Sequence, residues 1–167
     1  MNINQFALIP TVHLNEGLEP LAVARLLADS FALTVVERDH RGGTPKFERD
    51  AIRNSGLLSL IIPQQYGGYG ANWQETLQVV REFAKVDSSI AHVYGFQHLM
   101  LATVRLFSRP DQWERWFEQT AQLDWFWGNA LNPLDDRTNS KSYSHWHEFS
   151  GKKSFCYGAL DSEMLIA

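Results

Sequence analysis

The sequence contains a single cysteine, Cys156, which excludes an intrachain disulfide and a cysteine-based zinc site. It has no surplus of basic residues: the formal net charge is -4, so no Lys/Arg stripe can neutralise the phosphates of a nucleic acid. No apolar run reaches the roughly 18 residues of a membrane span. The first residues also lack the basic and apolar segments of a secretory signal. We therefore expect a protein of the reducing cytoplasm that binds neither nucleic acid nor membrane.

What the sequence does contain is typical of a globular chain, with 44% hydrophobic and 20% charged residues. Its 167 residues are enough for one domain with a core, or for a helical domain plus part of a second domain. Aromatic residues make up 13% of the chain, including six tryptophans. This content indicates either a pocket for a flat ligand or a substantial partner interface.

Apolar residues recur with helical spacing from Pro20 to about residue 123. Asn72 with Glu75 three residues later predicts a capping box at the start of one of these helices. About five helices are predicted, spanning residues 20–41, 45–54, 73–87, 88–107 and 110–123, the fourth capped by Ser88 or Ser89. Between them, YGGYG (66–70) is not followed by the basic or hydroxyl residue of a phosphate-binding loop, so it predicts a structural turn.

The helix at 88–107 is apolar nearly all round, which predicts a helix in the middle of a bundle. Its polar and aromatic residues, each of which could equally be a satisfied core side chain, are His92, Tyr94, Phe96 and His98. His92 and His98 are six residues apart and lie on different faces, so they make a poor metal pair. His145 and His147 would share one face of a strand, but no third ligand is suitably spaced. We expect no metal site.

At Asp124 the pattern changes from helical to strand-like, which predicts a boundary between a helical domain (1–123) and the start of a β domain (124–167). Two aromatic runs flank a polar loop between Asp124 and Gly158, as in a β-hairpin or meander. They form either an ordinary strand pair or a surface that grips a flat conjugated ligand. Three or so strands need more sheet to bury their apolar face, so we expect either a longer protein or a partner chain that completes the sheet.

Several segments together resemble the acyl-CoA dehydrogenase superfamily, and most closely its flavin-dependent monooxygenase branch, which includes dibenzothiophene monooxygenase and sulfur-acquisition enzymes. They are PLAVARLLADSFALTVVERDHRGG (20–43), SGLLSLIIPQQYGGYGANW (55–73), IAHVYGF (90–96), WGNALNP (127–133) and GKKSFCYGALDSEMLIA (151–167). The resemblance covers nearly the whole chain in order. It implies an α+β fold: an N-terminal helical bundle, then the first strands of an antiparallel β-barrel, with the family's C-terminal four-helix bundle absent.

The resemblance also implies a cofactor and a site. The flavin would pack against the two aromatic runs, beside Trp127, Asn129, Ala130 and Leu131 on the first and Phe155, Cys156 and Tyr157 on the second. The substrate and oxygen pocket would be built by His92, Tyr94, Phe96 and His98. Tyr157 stands where the family usually has Ser or Thr. The loop after Asn132 lacks the glycines of the dehydrogenases' pyrophosphate loop, which favours FMN and leaves FAD as the alternative. No catalytic residue is assigned.

The implied function is two-component monooxygenation, in which a separate flavin reductase supplies reduced FMN and one atom of O2 passes to a small sulfur-containing or similar substrate. The family implies a homotetramer. Two alternatives stay open at this stage. One is an acyl-CoA dehydrogenase-type oxidoreductase, which predicts affinity for acyl-CoA thioesters. The other is a non-catalytic helical module or the product of a truncated gene. As a monooxygenase portion, the chain alone is expected to bind flavin weakly and to have no turnover.

Overall fold

The computed structural model describes residues 10–14, 17–132, 134 and 136–167. Within them, six α-helices precede four short strands, which confirms the α+β class. The elements are α1 (Pro20–Ala32), α2 (Val35–Arg41), α3 (Lys46–Asn54), α4 (Trp73–Ala84), α5 (Ser88–Phe107), α6 (Pro110–Leu123), β1 (Trp127–Asn129), β2 (Thr138–Ser142), β3 (His147–Gly151) and β4 (Met164–Ile166). Residues 1–9, 15 and 16, together with Pro133 and Asp135 of the predicted polar loop, lie outside the described residues.

The main hydrophobic core lies where α1, α4 and α5 pack together. At its centre Phe83 of α4 contacts Phe31 of α1 and Tyr94 of α5, with ring centroids 5.9 and 5.2 Å apart. All three side chains are fully buried, and each burial stabilises the fold by about 1.5–3 kcal/mol. A second cluster joins the C-terminal half of α5 to α6 and β1. Because α5 belongs to both clusters, it is the helix against which the strands are positioned.

The predicted single helix over residues 20–41 is wrong, because α1 ends at Ala32 and α2 begins at Val35. Arg38 of α2 faces α3 and the start of α5. There its guanidinium pairs with Glu48 and with Asp87, all three side chains being buried. These partners lie 10 and 49 residues away in the sequence, so local periodicity could not reveal them.

Two helix starts test the predicted caps. The capping box of α4 is confirmed: the Glu75 N–H donates to Asn72 Oδ1 (3.0 Å), and the Asn72 N–H donates to a Glu75 carboxylate oxygen (2.9 Å). The cap of α5 is Asp87, just before the predicted serines, and its Oδ1 accepts the N–H groups of Ser89 (2.8 Å) and Ile90 (3.0 Å). An ionised carboxylate is stabilised at a helix N-terminus by the helix dipole as well as by these bonds.

The glycine-rich segment forms the predicted structural turn. Gly67 and Gly70 have φ angles of +84° and +81°, in the left-handed region that favours glycine. The turn folds back onto the preceding residues, so that the Gly70 N–H donates to the Ile62 carbonyl at 2.9 Å. A Cβ on Gly68 would lie 2.1 Å from that same carbonyl oxygen. The segment is therefore specified by close backbone contact within the protein.

Replacing Gly68 with alanine is expected to lower the free energy of unfolding by about 1–3 kcal/mol, because the backbone of Ile62 must move to admit the methyl group. Gly95→Ala provides the matched control. Gly95 lies inside α5, and its Cβ would make only ordinary van der Waals contact with the Val80 methyls, at 3.8 and 3.9 Å. That substitution is expected to stabilise by about 0.5–1 kcal/mol through helix propensity. Urea denaturation of both variants measures the two changes in the free energy of unfolding, and equal changes would contradict the prediction.

The strands do not form the predicted hairpin between the two aromatic runs. Instead β1 pairs in parallel with β4, and β2 pairs with β3 as a separate antiparallel hairpin inside the segment between the runs. The two runs meet only at one antiparallel bridge, between Asn129 and Tyr157. Gly158 then turns the chain with a φ angle of +74° into a 3-10 helix at Ala159–Asp161, which allows β4 to run parallel to β1. No helix of the described residues is long and apolar enough to cross a bilayer.

Candidate functional site

Four residues of the predicted site come together where α5 meets β1, and we call them the α5–β1 corner: His92, Phe96, Asn129 and Tyr157. His92 stacks on Phe96, one helical turn further along α5, with ring centroids 4.6 Å apart. The Tyr157 ring packs on both, at 4.4 Å from His92 and 5.4 Å from Phe96. Tyr157 remains 42% exposed, so the cluster presents an aromatic face that a flat ligand could cover.

Asn129 holds β1 against the Tyr157 segment. Its backbone N–H donates to the Tyr157 carbonyl at 2.9 Å, and its side-chain oxygen accepts the Leu131 N–H at 2.9 Å. Among the described residues, nothing accepts a hydrogen bond from the side-chain nitrogen of Asn129. The side-chain nitrogen of Asn129 is therefore available to donate to a ligand acceptor such as a ring carbonyl or ring nitrogen.

The close approach of these two segments depends on Gly128, whereas Gly158 is required by its φ angle of +74°. A Cβ on Gly128 would lie 2.8 Å from Ser162 Oγ and 3.2 Å from the Tyr157 carbonyl oxygen. A Cβ on Gly158 would lie 3.6 Å from the Gly128 Cα. Sequence reasoning missed Gly128 as a site residue, although a glycine inside a short aromatic strand is a signal of close backbone approach.

The other predicted residues of the first run differ in whether a ligand could reach their side chains. The Trp127 side chain is buried, and its indole N–H donates to Thr120 on α6 at 2.8 Å, so only its backbone can line a site. Ala130 is buried with its N–H bonded to the Ile166 carbonyl at 2.7 Å. Leu131 is 46% exposed and borders the corner on the open side.

In the second run, Phe155 has a φ angle of +57°, which a bulky side chain rarely adopts. Its ring is 86% exposed, and Cys156 beside it is partly buried. Strained backbone of this kind costs about 1–3 kcal/mol, and it is found disproportionately at ligand sites. The conformation turns the Phe155 side chain away from the protein body.

The predicted pocket residues of α5 do not share one surface. Residues 92 and 96 lie on one side of the helix, whereas Tyr94 and His98 lie on the other, since each residue advances by about 100°. Tyr94 and His98 are fully buried, pack edge to face with ring centroids 4.7 Å apart, and do not reach the corner. Burial raises the pKa of Tyr94 and lowers that of His98 to about 3. Neither nitrogen of His98 has a hydrogen-bond partner among the described residues.

A cluster of charges ties the segment after the corner to α3. Arg53 donates to the Asp124 carbonyl and to Glu163, both at 2.9 Å, while Arg49 donates to the Asp161 carbonyl at 2.9 Å. The guanidinium of Arg49 also lies 4.5 Å from the centre of the Phe126 ring. Burial lowers the pKa of Arg49. For Glu163 burial would raise the pKa, but the Phe126 N–H and Arg53 together hold it below its usual value.

The arrangement suits an organic ligand better than a metal ion. Among the residues that the structure describes, no group of three His, Cys, Asp or Glu side chains is placed to share a metal. The corner offers instead an exposed aromatic face beside an uncommitted amide donor. A conjugated heterocycle with ring carbonyls, such as an isoalloxazine, matches both features.

Comparison with known families decides the relationship. Residues 21–124, which contain nearly all of α1 to α6, match the family model described as "Acyl-CoA dehydrogenase, N-terminal domain". The chain belongs to this acyl-CoA dehydrogenase family. The resemblance found in the sequence is thereby confirmed.

Several proteins to which this chain is similar are named as monooxygenases. Probable FMNH2-dependent monooxygenase SfnC of Pseudomonas putida is 75% identical over 88% of this chain and 37% of its own length. The structure of methanesulfinate monooxygenase MsuC from Pseudomonas fluorescens is 75% identical with a TM-score of 0.88, and the match covers 90% of this chain and 39% of MsuC. FMN-bound TdsC, a dibenzothiophene monooxygenase from Paenibacillus sp. A11-2, is 41% identical with a TM-score of 0.82, over 87% of this chain and 38% of TdsC. The chain thus spans less than two fifths of the length of each.

Proposed function

We propose that this chain provides the helical part and one flavin-facing wall of a reduced-FMN-dependent monooxygenase that acts on a small organosulfur compound. The observation that carries the proposal is the α5–β1 corner, where a half-exposed aromatic face adjoins the uncommitted amide nitrogen of Asn129. Its support comes from MsuC, named a methanesulfinate monooxygenase, and from TdsC, whose structure holds FMN. A sulfinate or a similar small sulfur compound is the corresponding substrate class.

Each part of the corner would contribute differently. Asn129 would donate from its side-chain nitrogen to an acceptor at the edge of the flavin, while the backbone of β1 would support the ring. The chemistry that reduced FMN would supply when bound is electrons for the activation of O2, one atom of which enters the substrate while the other leaves as water. His92 and Phe96 would shield that region from solvent, because they already cover one side of Tyr157. Tyr94 and His98 would contribute only by packing in the core, on the side of α5 that faces away from the corner.

The larger assembly is part of the same proposal. A separate flavin reductase would supply reduced FMN, and the enzyme would work in the cytoplasm as a homotetramer. The helical domain would extend to residue 123, and residues 124–167 would begin an antiparallel β-barrel of a longer protein. The parallel pairing of β1 with β4 would then be one part of a mixed sheet at the start of that barrel.

Titration of the 167-residue chain with FMN is expected to give saturable quenching of flavin fluorescence. Asn129→Ala should raise the dissociation constant about tenfold, the loss of one hydrogen bond in a buried position. Phe155→Ala should raise it about threefold or more through lost apolar contact. No saturable quenching by the unmodified chain would contradict the proposal.

Matched controls lie elsewhere on the surface. Phe107→Ala removes a phenylalanine that is 85% exposed, as Phe155 is, but sits at the end of α5. Asn139→Ala removes an exposed asparagine of β2. Both should leave the FMN dissociation constant unchanged. Displacement of bound FMN by a short acyl-CoA thioester would favour the acyl-CoA dehydrogenase alternative, and a folded chain without flavin affinity would favour a non-catalytic module.

A further inference from the structure

Gln97 of α5 is fully buried, and its side chain makes three hydrogen bonds, all to backbone groups. The side-chain nitrogen donates to the carbonyls of Leu58 and Trp125, each at 3.1 Å. The side-chain oxygen accepts the Trp127 N–H at 2.7 Å. Because one end contacts two acceptors and the other a donor, the orientation of the amide is determined by its surroundings.

Two of these bonds are made to residues at the start of β1. Along a strand, the backbone N–H and carbonyl groups of successive residues point alternately to its two edges. The Phe126 N–H and carbonyl point to the opposite edge, where Glu163 accepts the N–H at 2.7 Å and donates its own N–H to the carbonyl at 3.0 Å. On the helical side, the carbonyl of Trp125 and the N–H of Trp127 both bond to Gln97. The side-chain amide of Gln97 therefore makes the hydrogen bonds that the backbone of a neighbouring strand would make along this edge.

Two residues of α5 that precede Gln97 contact Tyr157, which lies on the second aromatic run. Phe96 and His92 pack on Tyr157, and the Tyr157 carbonyl accepts the Asn129 N–H at 2.9 Å. Phe96 and Gln97, which are consecutive residues of α5, thus contact Tyr157 and β1 respectively. We infer that Gln97 is a positioning residue, which fixes the backbone of β1 relative to Tyr157 so that Asn129 can meet the flavin. This inference rests on the proposed function.

The chemistry requires an amide at this position. A glutamate of nearly the same shape would lose both bonds donated to the Leu58 and Trp125 carbonyls when ionised, and could keep only one of them when protonated. A methionine would leave all three backbone groups without a bond in a site that excludes water. Either change removes the support of β1 on its helical side without touching the exposed face of the corner.

The test compares Gln97→Glu and Gln97→Met with the unmodified chain by FMN fluorescence quenching and by amide hydrogen exchange. Both variants should raise the FMN dissociation constant at least tenfold. They should also accelerate exchange at the Trp127 and Asn129 amides at least tenfold, while the Phe83 and Tyr94 amides of the core stay protected. The control is Thr76→Val, which removes the hydroxyl of another fully buried residue, whose Oγ1 donates to the carbonyl of Asn72, the N-cap residue of α4, at 2.9 Å.

The outcomes separate the two proposals. If the unmodified chain binds no FMN, the proposed function fails and this inference fails with it. If it binds FMN and the Gln97 variants bind equally well, only the inference is overturned. Equal loss of FMN affinity in Thr76→Val, or loss of protection throughout the core in the Gln97 variants, would also overturn it, because either result would mark a general loss of stability.

Discussion

Replacing Arg38 with methionine is expected to lower the free energy of unfolding by about 3–5 kcal/mol, because it leaves buried carboxylates without their cation. The Arg38 guanidinium bonds to Glu48 at 2.5 Å and also to Asp87, and each of the three side chains is less than 10% exposed. Asp87 in addition caps α5, the helix that positions the candidate site. Loss of Arg38 is therefore expected to loosen the junction of α2, α3 and α5 together.

Urea denaturation measures the Arg38 effect, and the chain offers a matched control. Arg109→Met removes an arginine that pairs with Asp111 at 2.9 Å on the surface, where both side chains are more than 60% exposed. Because solvent screens an exposed pair of this kind, Arg109→Met is expected to leave the free energy of unfolding nearly unchanged. Adding Glu48→Gln to Arg38→Met should recover part of the loss, since one uncompensated charge is removed. A loss below 1 kcal/mol in Arg38→Met would contradict the prediction.

Acidification is expected to destabilise the chain through His98. Burial lowers the pKa of His98 from 6.5 to about 3 in the folded protein. Below about pH 6.5 the unfolded chain binds a proton at this residue and the folded chain does not, so stability falls as the pH falls. Each pH unit removes about 1.4 kcal/mol, so lowering the pH from about 6.5 to about 4.5 removes about 2–3 kcal/mol through this residue.

His98→Leu is expected to remove that part of the pH dependence and to raise the free energy of unfolding at neutral pH by about 1–3 kcal/mol. The gain arises because neither ring nitrogen of His98 has a hydrogen-bond partner among the described residues. Urea denaturation at several pH values measures both effects. The control is His145→Leu, which removes an exposed histidine and tests whether loss of any histidine gives the same change. An unchanged acid slope in His98→Leu would refute the prediction.

The helical half of the molecule was largely readable from sequence because its signals are local. The capping box of Asn72 and Glu75 spans three residues, and the turn at Gly67–Gly70 is specified by residues that tolerate positive φ angles. The error at Ala32–Val35 has a different origin. There Arg38 is buried against two distant carboxylates, and the apolar spacing carries no record of that pairing.

The candidate site was readable only in part. Helical geometry places His92 with Phe96 and Tyr94 with His98, but it does not say which side of α5 faces the core. Gln97 gave no signal either, because a single polar residue in an apolar helix has no distinguishing pattern until its backbone partners are known. Its three bonds join α5 to residues 28 to 39 positions away.

The sequence by itself therefore determined the α+β class, most of the helices of residues 20–123, the family resemblance and the identity of the four residues of the α5–β1 corner. Only the tertiary structure decided the parallel pairing of β1 with β4, the burial of Trp127, Tyr94 and His98, and the role of Gln97. The physical reason is range: periodicity, caps and turns depend on residues within a few positions, whereas strand partners and buried polar bonds depend on residues that meet only after the chain has folded.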